Sequence, residues 1–427
     1  MNKFFKSPLL LAVCAMVTFG MSSCDNNDDN NGSSAELTEN QKEMKAIAEQ
    51  YVSNTVNSTY AKLAQGTSDL YDELKALRDK FVKDPSSVQQ SEIDQVCETF
   101  KDARQYYEES EAFLFGAATD FGVDPHIDTW PLDRDGLATA LSNKSQLAQL
   151  SSDDEDANIA YAAGKLGQEL LGFHGIEFII FRNGANRTVA DLQKEETDDA
   201  FTSKNISVTG KEELYYATAV AGDLRDRCYQ LEVSWNPNAP QAHIDRVDDL
   251  GIPRTMNAGS KTYGEDMLAA ANPGSTYATW TEVMTTIVKA GCENISHEVA
   301  YVKIGNPLGN GEDPNPNYIE SPYSQRSFID FKDNLLSIEN SLYGGRSESR
   351  DDSKSIMAYL KKNNAAQATA LENSLKDAIS ALETCQNELK GGFVNNKTAP
   401  QVVTAQEKVK ALDDQLNKTA DWFSSQK

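Results

Sequence analysis

The chain has 427 residues and carries 40 Lys and Arg against 65 Asp and Glu, a formal net charge of −25. Such a surface repels phosphate and argues against a basic groove for nucleic acid. The length is that of about two domains, and 25% charged with 39% apolar residues is an ordinary globular composition.

Lys3 and Lys6 precede an apolar run over 9–19, too short to span a bilayer, and Met21-Ser22-Ser23-Cys24 follows. This pattern resembles a lipoprotein signal peptide over 1–23, with Cys24 acylated as the mature N-terminus. An ordinary cleavable signal is the alternative. Residues 24–36 are acidic and polar and predict a flexible tether. An acidic run behind the lipid-bearing cysteine resembles the surface-export signal of Bacteroidetes lipoproteins. The expected location is therefore the cell envelope, lipid-anchored in the outer membrane, on its surface or periplasmic face, with no other membrane contact.

Beyond the tether the pattern is helical. Thr38 and Gln41 make a capping-box pair, and Thr209 with Glu212 makes another. Stripes at helical spacing include Leu70, Leu74, Leu77 and Phe81, and later Val402, Ala405, Val409, Leu412 and Leu416. Long helices are predicted over 38–65, 92–116, 157–182 and 210–235, then over 277–304, 322–342, 364–390 and 400–424. Ser321-Pro322 reads as N-cap and first helical residue of the sixth. The run Ile206-Ser207-Val208-Thr209 is the one short β-branched signal. Zones rich in Pro, Gly and Asp at 119–150 and 235–275 interrupt the helices, and His126 and His243 within them are expected to be exposed. The second zone divides the chain into helical bundles over 37–236 and 237–427. The fold class is all-α, two four-helix-bundle-like domains with a cleft between them. Cys97, Cys228, Cys292 and Cys385 are far apart, without a C-x-x-C pair, and read as small buried apolar residues.

The window over 170–181, LLGFHGIEFIIF, holds the candidate chemistry. Apolar side chains surround the whole helix circumference, so it should be buried on all sides. Only His174 and Glu177 are polar, and at i, i+3 they share a face. A buried carboxylate must be paired, protonated or metal-bound. Two readings follow: a metal or ligand site, or a structural His–Glu pair. As metal ligands, His174 and Glu177 suit iron, zinc or manganese, and further ligands must come from elsewhere. Zinc-protease patterns are incomplete. Tyr301 replaces the second His of H-E-x-x-H after His297-Glu298, and Phe178 replaces the last His of H-x-x-E-H.

Gly172-Phe173-His174-Gly175-Ile176-Glu177 resembles the G-x-H-x-x-E signature of the imelysin family (imelysin-like, peptidase M75). Ala103-Arg104, Glu111-Ala112-Phe113, Phe115-Gly116 and the stretch 127–133 look like that family's helix and WP-D loop. Ser324, Ser327 and Asp330 keep the spacing of its serine- and aspartate-bearing segment. The resemblance covers most of 38–425. It departs in the second half, where Ser296-His297-Glu298-Val299-Ala300 stands near the place of the usual G-E-R-M element. The resemblance implies a two-bundle fold with His174 and Glu177 facing the cleft and Arg104, Glu111 and Trp130 near them. Glu111, Glu298 and Asp330 are candidates to complete a metal sphere or touch a solute. The family takes its name from a protease activity in one branch, and other relatives belong to iron-uptake systems. The leading expectation is binding of a metal ion, iron favoured, or an associated solute in uptake, with membrane components of the uptake system as partners. A metallopeptidase using Glu177 as base or ligand, and a non-catalytic scaffold or solute-binding protein whose His174–Glu177 pair is structural, are the alternatives.

Overall fold

The computed structural model describes residues 37–256 and 259–426; the signal, Cys24 and the acidic run lie outside them. The Thr38 hydroxyl accepts from the Gln41 amide, and the Gln41 side chain accepts from the Thr38 amide, as the capping box predicts. Helix α1 (Glu39–Gln50) passes through a π-helical stretch, Tyr51–Asn57, into α2 (Ser58–Lys83). Leu70, Leu74, Leu77 and Phe81 are buried along α2. Helix α3 (Gln90–Glu108) follows. The segment expected as one helix over 157–182 is two, α4 (Glu155–Lys165) and α5 (Gly172–Ile180). Gly172, at φ +67°, turns the chain between them, because a left-handed residue cannot extend a right-handed helix. Helix α6 (Gly210–Trp235) begins at the predicted Thr209–Glu212 box.

In the second half, α7 (Trp280–Thr286) continues through Ile287–Glu293, Asn294–His297 and Glu298–Lys303, the first and last of these π-helical. Helices α8 (Ser327–Tyr343), α9 (Ala365–Glu388) and α10 (Pro400–Ser424) follow. Helix α8 starts later than Ser321-Pro322 predicts. Ser321 takes φ +48°, and its hydroxyl donates to Asp330 at 2.5 Å, so it lies within the loop before α8 instead of capping a helix. Among the described residues, strands amount to the hairpin Phe181–Arg182 with Ala185–Asn186, in which Phe181 pairs with Asn186. The run at 206–209 contributes one bridge, between Glu195 and Thr209. No helix of the described residues is long and apolar enough to cross a membrane.

The helices gather in two clusters. In the first, α6 packs on α2, α4 and α5, and α2 packs on α3. In the second, α9 lies between α8 and α10, and α10 covers the α7 extension. The clusters meet along a seam where α8 touches α3 and the Glu111–Phe113 turn touches Ile287–Glu293. Helix α1 packs on α7 across the same division. The four cysteines are free and buried, and burial pushes the Cys97 and Cys292 thiols up to about 12.

His126 and His243 depart from the expected exposure. Both are partly buried. His126 Nε2 lies 2.7 Å from Asp223 Oδ2 and His243 Nδ1 lies 2.6 Å from Glu232 Oε2. The His243 ring also stacks on Tyr229 with centroids 3.8 Å apart. A carboxylate partner lets an imidazole leave water, and loop composition alone does not reveal that partner.

Candidate functional site

The seam is polar at its centre. Helix α3 carries Arg104 and Glu108, and the turn after it carries Glu111. Arg104 is 1% exposed. Its guanidinium forms close ion pairs with Asp128 and Glu108, lies 2.7 Å from Glu320, and places Nε 3.7 Å from Asp330 Oδ2. From the second cluster, Lys303 ends the π-helical stretch with its side chain fully buried. Lys303 Nζ is 3.0 Å from Glu111 Oε2, 3.2 Å from Glu320 Oε1 and 3.7 Å from Glu108 Oε2. It also sits 5.3 Å from the Trp130 ring centroid, within cation–π range. Wide π turns interrupt ordinary helices most often at functional positions, and here one delivers the buried ammonium.

Helix α5 delivers His174 and Glu177, both buried as its apolar circumference predicts. His174 Nε2 is 3.1 Å from Asp128 Oδ1, though poorly aligned for a hydrogen bond, and Nδ1 is 3.6 Å from Glu177 Oε2. Glu177 Oε1 accepts from the Tyr323 and Ser324 amides and from the Ser324 hydroxyl, at 3.1, 2.7 and 2.6 Å. The 320–324 loop is thereby tied down over α5. Ser327, at the start of α8, donates to the Glu320 carbonyl at 2.5 Å and holds the other end of that loop.

The electrostatics follow from burial. Carboxylates outnumber the cations in the centre, so not every acid can be compensated. Burial raises Glu108, Glu111 and Glu320 above the usual carboxylate range, more than Arg104 and Lys303 lower them. Burial raises Glu298 to about 7 and Asp124 to about 6. Asp128 goes the other way: desolvation would raise it, but Arg104 and His174 hold it below the ordinary value. Desolvation opposes the charged form of His174, yet Asp128 and Glu177 outweigh it and lift the imidazole to about 9.

His174 should therefore be an imidazolium at neutral pH in the metal-free protein. Its stabilising contribution is complete below about pH 6.5, the ordinary histidine value, and is lost as pH rises through about 9. Imidazole ¹⁵N shifts at pH 7.5 should show both ring nitrogens protonated. A neutral ring at that pH would contradict the assignment.

The structure brings the sequence-predicted residues together. Arg104, Glu111, Trp130, His174, Glu177, Ser324, Ser327 and Asp330 all belong to this network. Glu298, partly buried, interacts electrostatically with Lys303, Glu320 and Asp128. Three partners escaped sequence reasoning, Glu108, Lys303 and Glu320, and a fourth, Asp128, was covered only as part of the 127–133 stretch. Lys303 had one available signal, a lone cation between Val302 and Ile304. Asp128, His174 and Glu320 each offer a ligand atom, and these three atoms lie within 4.8 Å of one another; Glu108, Glu111 and Asp128 form a second such trio. His174 Nε2, Glu177 Oε2, Glu320 Oε2 and Trp130 Nε1 are buried without a hydrogen-bond partner. A cation among the acids would satisfy the carboxylate oxygens and the imidazole nitrogen, so these residues fit a metal ion.

A two-cluster helical protein with a buried acidic centre, built around Arg104, Lys303 and His174, is the class that this fold and site define. Residues 56–419 match the imelysin (peptidase M75) family model, and the chain belongs to that family. It is 24% identical over 368 residues to iron-regulated protein A of Synechococcus elongatus, covering 86% of this chain and 83% of that one. A crystal structure provisionally described as an iron-regulated protein A precursor, from Parabacteroides distasonis, superposes with a TM-score of 0.67 at 25% identity over 92% of this chain and 97% of that one. An imelysin-like protein from Psychrobacter arcticum shares the fold, with a TM-score of 0.53 at 15% identity, covering 92% of this chain and 95% of that one.

Proposed function

We propose that the seam centre binds a metal ion, with iron favoured, as the cargo of an uptake process at the cell envelope. The observation that carries this reading is the buried carboxylate excess around His174, with donor atoms of Asp128, His174 and Glu320 within 4.8 Å. Imidazole with carboxylates suits iron, zinc or manganese, and the iron-regulated relatives support iron among them. The lipoprotein-like N-terminus supports an envelope location.

Asp128, His174 and Glu320 would hold the ion. Glu177 would keep the His174 ring in place and contribute Oε2 where the ion draws it in. Binding needs a neutral imidazole, so uptake of the ion releases the His174 proton and strengthens with pH. His174, Glu177 and Glu320 are all buried, so entry requires the 320–324 loop to lift from α5.

Titration of Fe(II) and Zn(II) into the apo protein tests the reading. His174→Ala should weaken binding by at least about 100-fold and Glu177→Gln by about 10-fold, the effects of a ligand and of a group that orients one. Equal affinity in wild type and both variants would remove these residues as ligands.

A further inference from the structure

We infer that Glu293, His297 and Asp413 form a second, solvent-accessible site for a divalent first-row transition ion of the zinc class, separate from the seam centre. Glu293 and His297 are four residues apart on the continuous helix that extends α7, and so lie on one face. Asp413 comes from α10, which packs on that helix. One ligand atom from each of the three lies within 4.8 Å of the others.

The surroundings orient the set for an ion. His297 Nε2 is 3.0 Å from Glu312 Oε1, while Nδ1 is 3.6 Å from Asp413 Oδ2. A carboxylate on the far ring nitrogen is the usual means of fixing the tautomer of a metal-bound histidine, and it leaves Nδ1 for the ion. The ring is also stacked on Tyr301 at 4.4 Å. Asp413 is 5% exposed. Its Oδ1 accepts from the Ser296 hydroxyl at 2.9 Å, but Oδ2 receives no hydrogen bond among the described residues; His297 Nδ1 at 3.6 Å is its neighbour. A histidine held between the Glu312 and Asp413 carboxylates can exchange its Nδ1 proton for a cation shared with Asp413 Oδ2. Glu293 and His297 are partly exposed, so an ion reaches this site with no rearrangement of the fold. Lys289, 2.9 Å from Glu293 Oε1, is the competing cation, but its side chain is half exposed and such a pair is readily exchanged.

The inference stands independently of the proposed function. The test is calorimetric titration of Zn(II) into the apo full chain, repeated with Co(II) and read by its visible absorption. His297→Ala and Asp413→Asn are each compared with the parent, in the wild-type and in the His174→Ala backgrounds. In both backgrounds either substitution should abolish one equivalent or weaken it by at least about tenfold. The His174→Ala protein should retain that equivalent. His297 is partly exposed, so His297→Ala should still fold, with circular dichroism like its parent's; the same number of equivalents at the same affinity in His297→Ala would overturn the site.

Discussion

Arg104→Met is expected to lower the free energy of unfolding by about 3–5 kcal/mol, the usual cost of removing one partner from a buried ionic network. Methionine replaces most of the stem volume, so the cavity term is small. What remains is the charge. Asp128, Glu108, Glu320 and Asp330 all face the guanidinium, and His174 beside Asp128, Lys303 beside Glu108 and Glu320 and Arg326 beside Asp330 compensate them only in part. Burial already lifts Glu108 and Glu320, and without Arg104 they rise further. The variant's native state then holds protons that its unfolded state releases, so its stability falls as pH rises. Urea unfolding followed by circular dichroism should show a larger deficit at pH 8 than at pH 5. Arg254→Met, which removes an exposed pair with Asp248, should cost less than about 1 kcal/mol at either pH. A deficit at Arg104 as small as that of Arg254 would sink the reading of the seam as a charge-balanced centre.

Local signals made most helices legible. Capping boxes at Thr38 and Thr209 and the stripes along α2 and α10 placed those helices because caps and periodicity are properties of neighbouring residues. The break between α4 and α5 was not legible, since what decides it is the approach of Gly172 to residue 127, a contact made only after folding. Ser321-Pro322 misled for a related reason: the Ser321 hydroxyl serves Asp330, nine residues on. The site divides the same way. His174 and Glu177 stood out as the two polar residues of an apolar window. Glu320 and Lys303 sit in stretches of ordinary pattern, and only packing of the two clusters puts them beside Arg104 and Glu111. Polar residues that answer a partner far along the chain leave little trace in local pattern.

Gly172→Ala should be the most damaging single-methyl change, at about 3–5 kcal/mol. Two costs combine. The residue sits at φ +67°, where an L side chain costs about 1–2 kcal/mol. An added Cβ would also stand 1.8 Å from the Ile127 carbonyl oxygen and 2.3 Å from its carbon. Those atoms are backbone and cannot swing aside, so the overpacking cost falls at the upper end of about 1–3 kcal/mol. Gly251, at φ +65° with open space for 4 Å around the position a methyl would take, isolates the first cost, and Gly251→Ala should lose only about 1–2 kcal/mol. The difference between the two variants measures the contact. It has a functional reading as well, because Ile127 precedes Asp128, and the close approach of α5 is what sets Asp128 beside His174. A Gly172→Ala protein that still folds should therefore show His174 titrating below about 9, as its contact with Asp128 loosens. Equal losses at Gly172 and Gly251 in chemical denaturation, with an unmoved His174 titration, would mean that the backbone contact does not position the site.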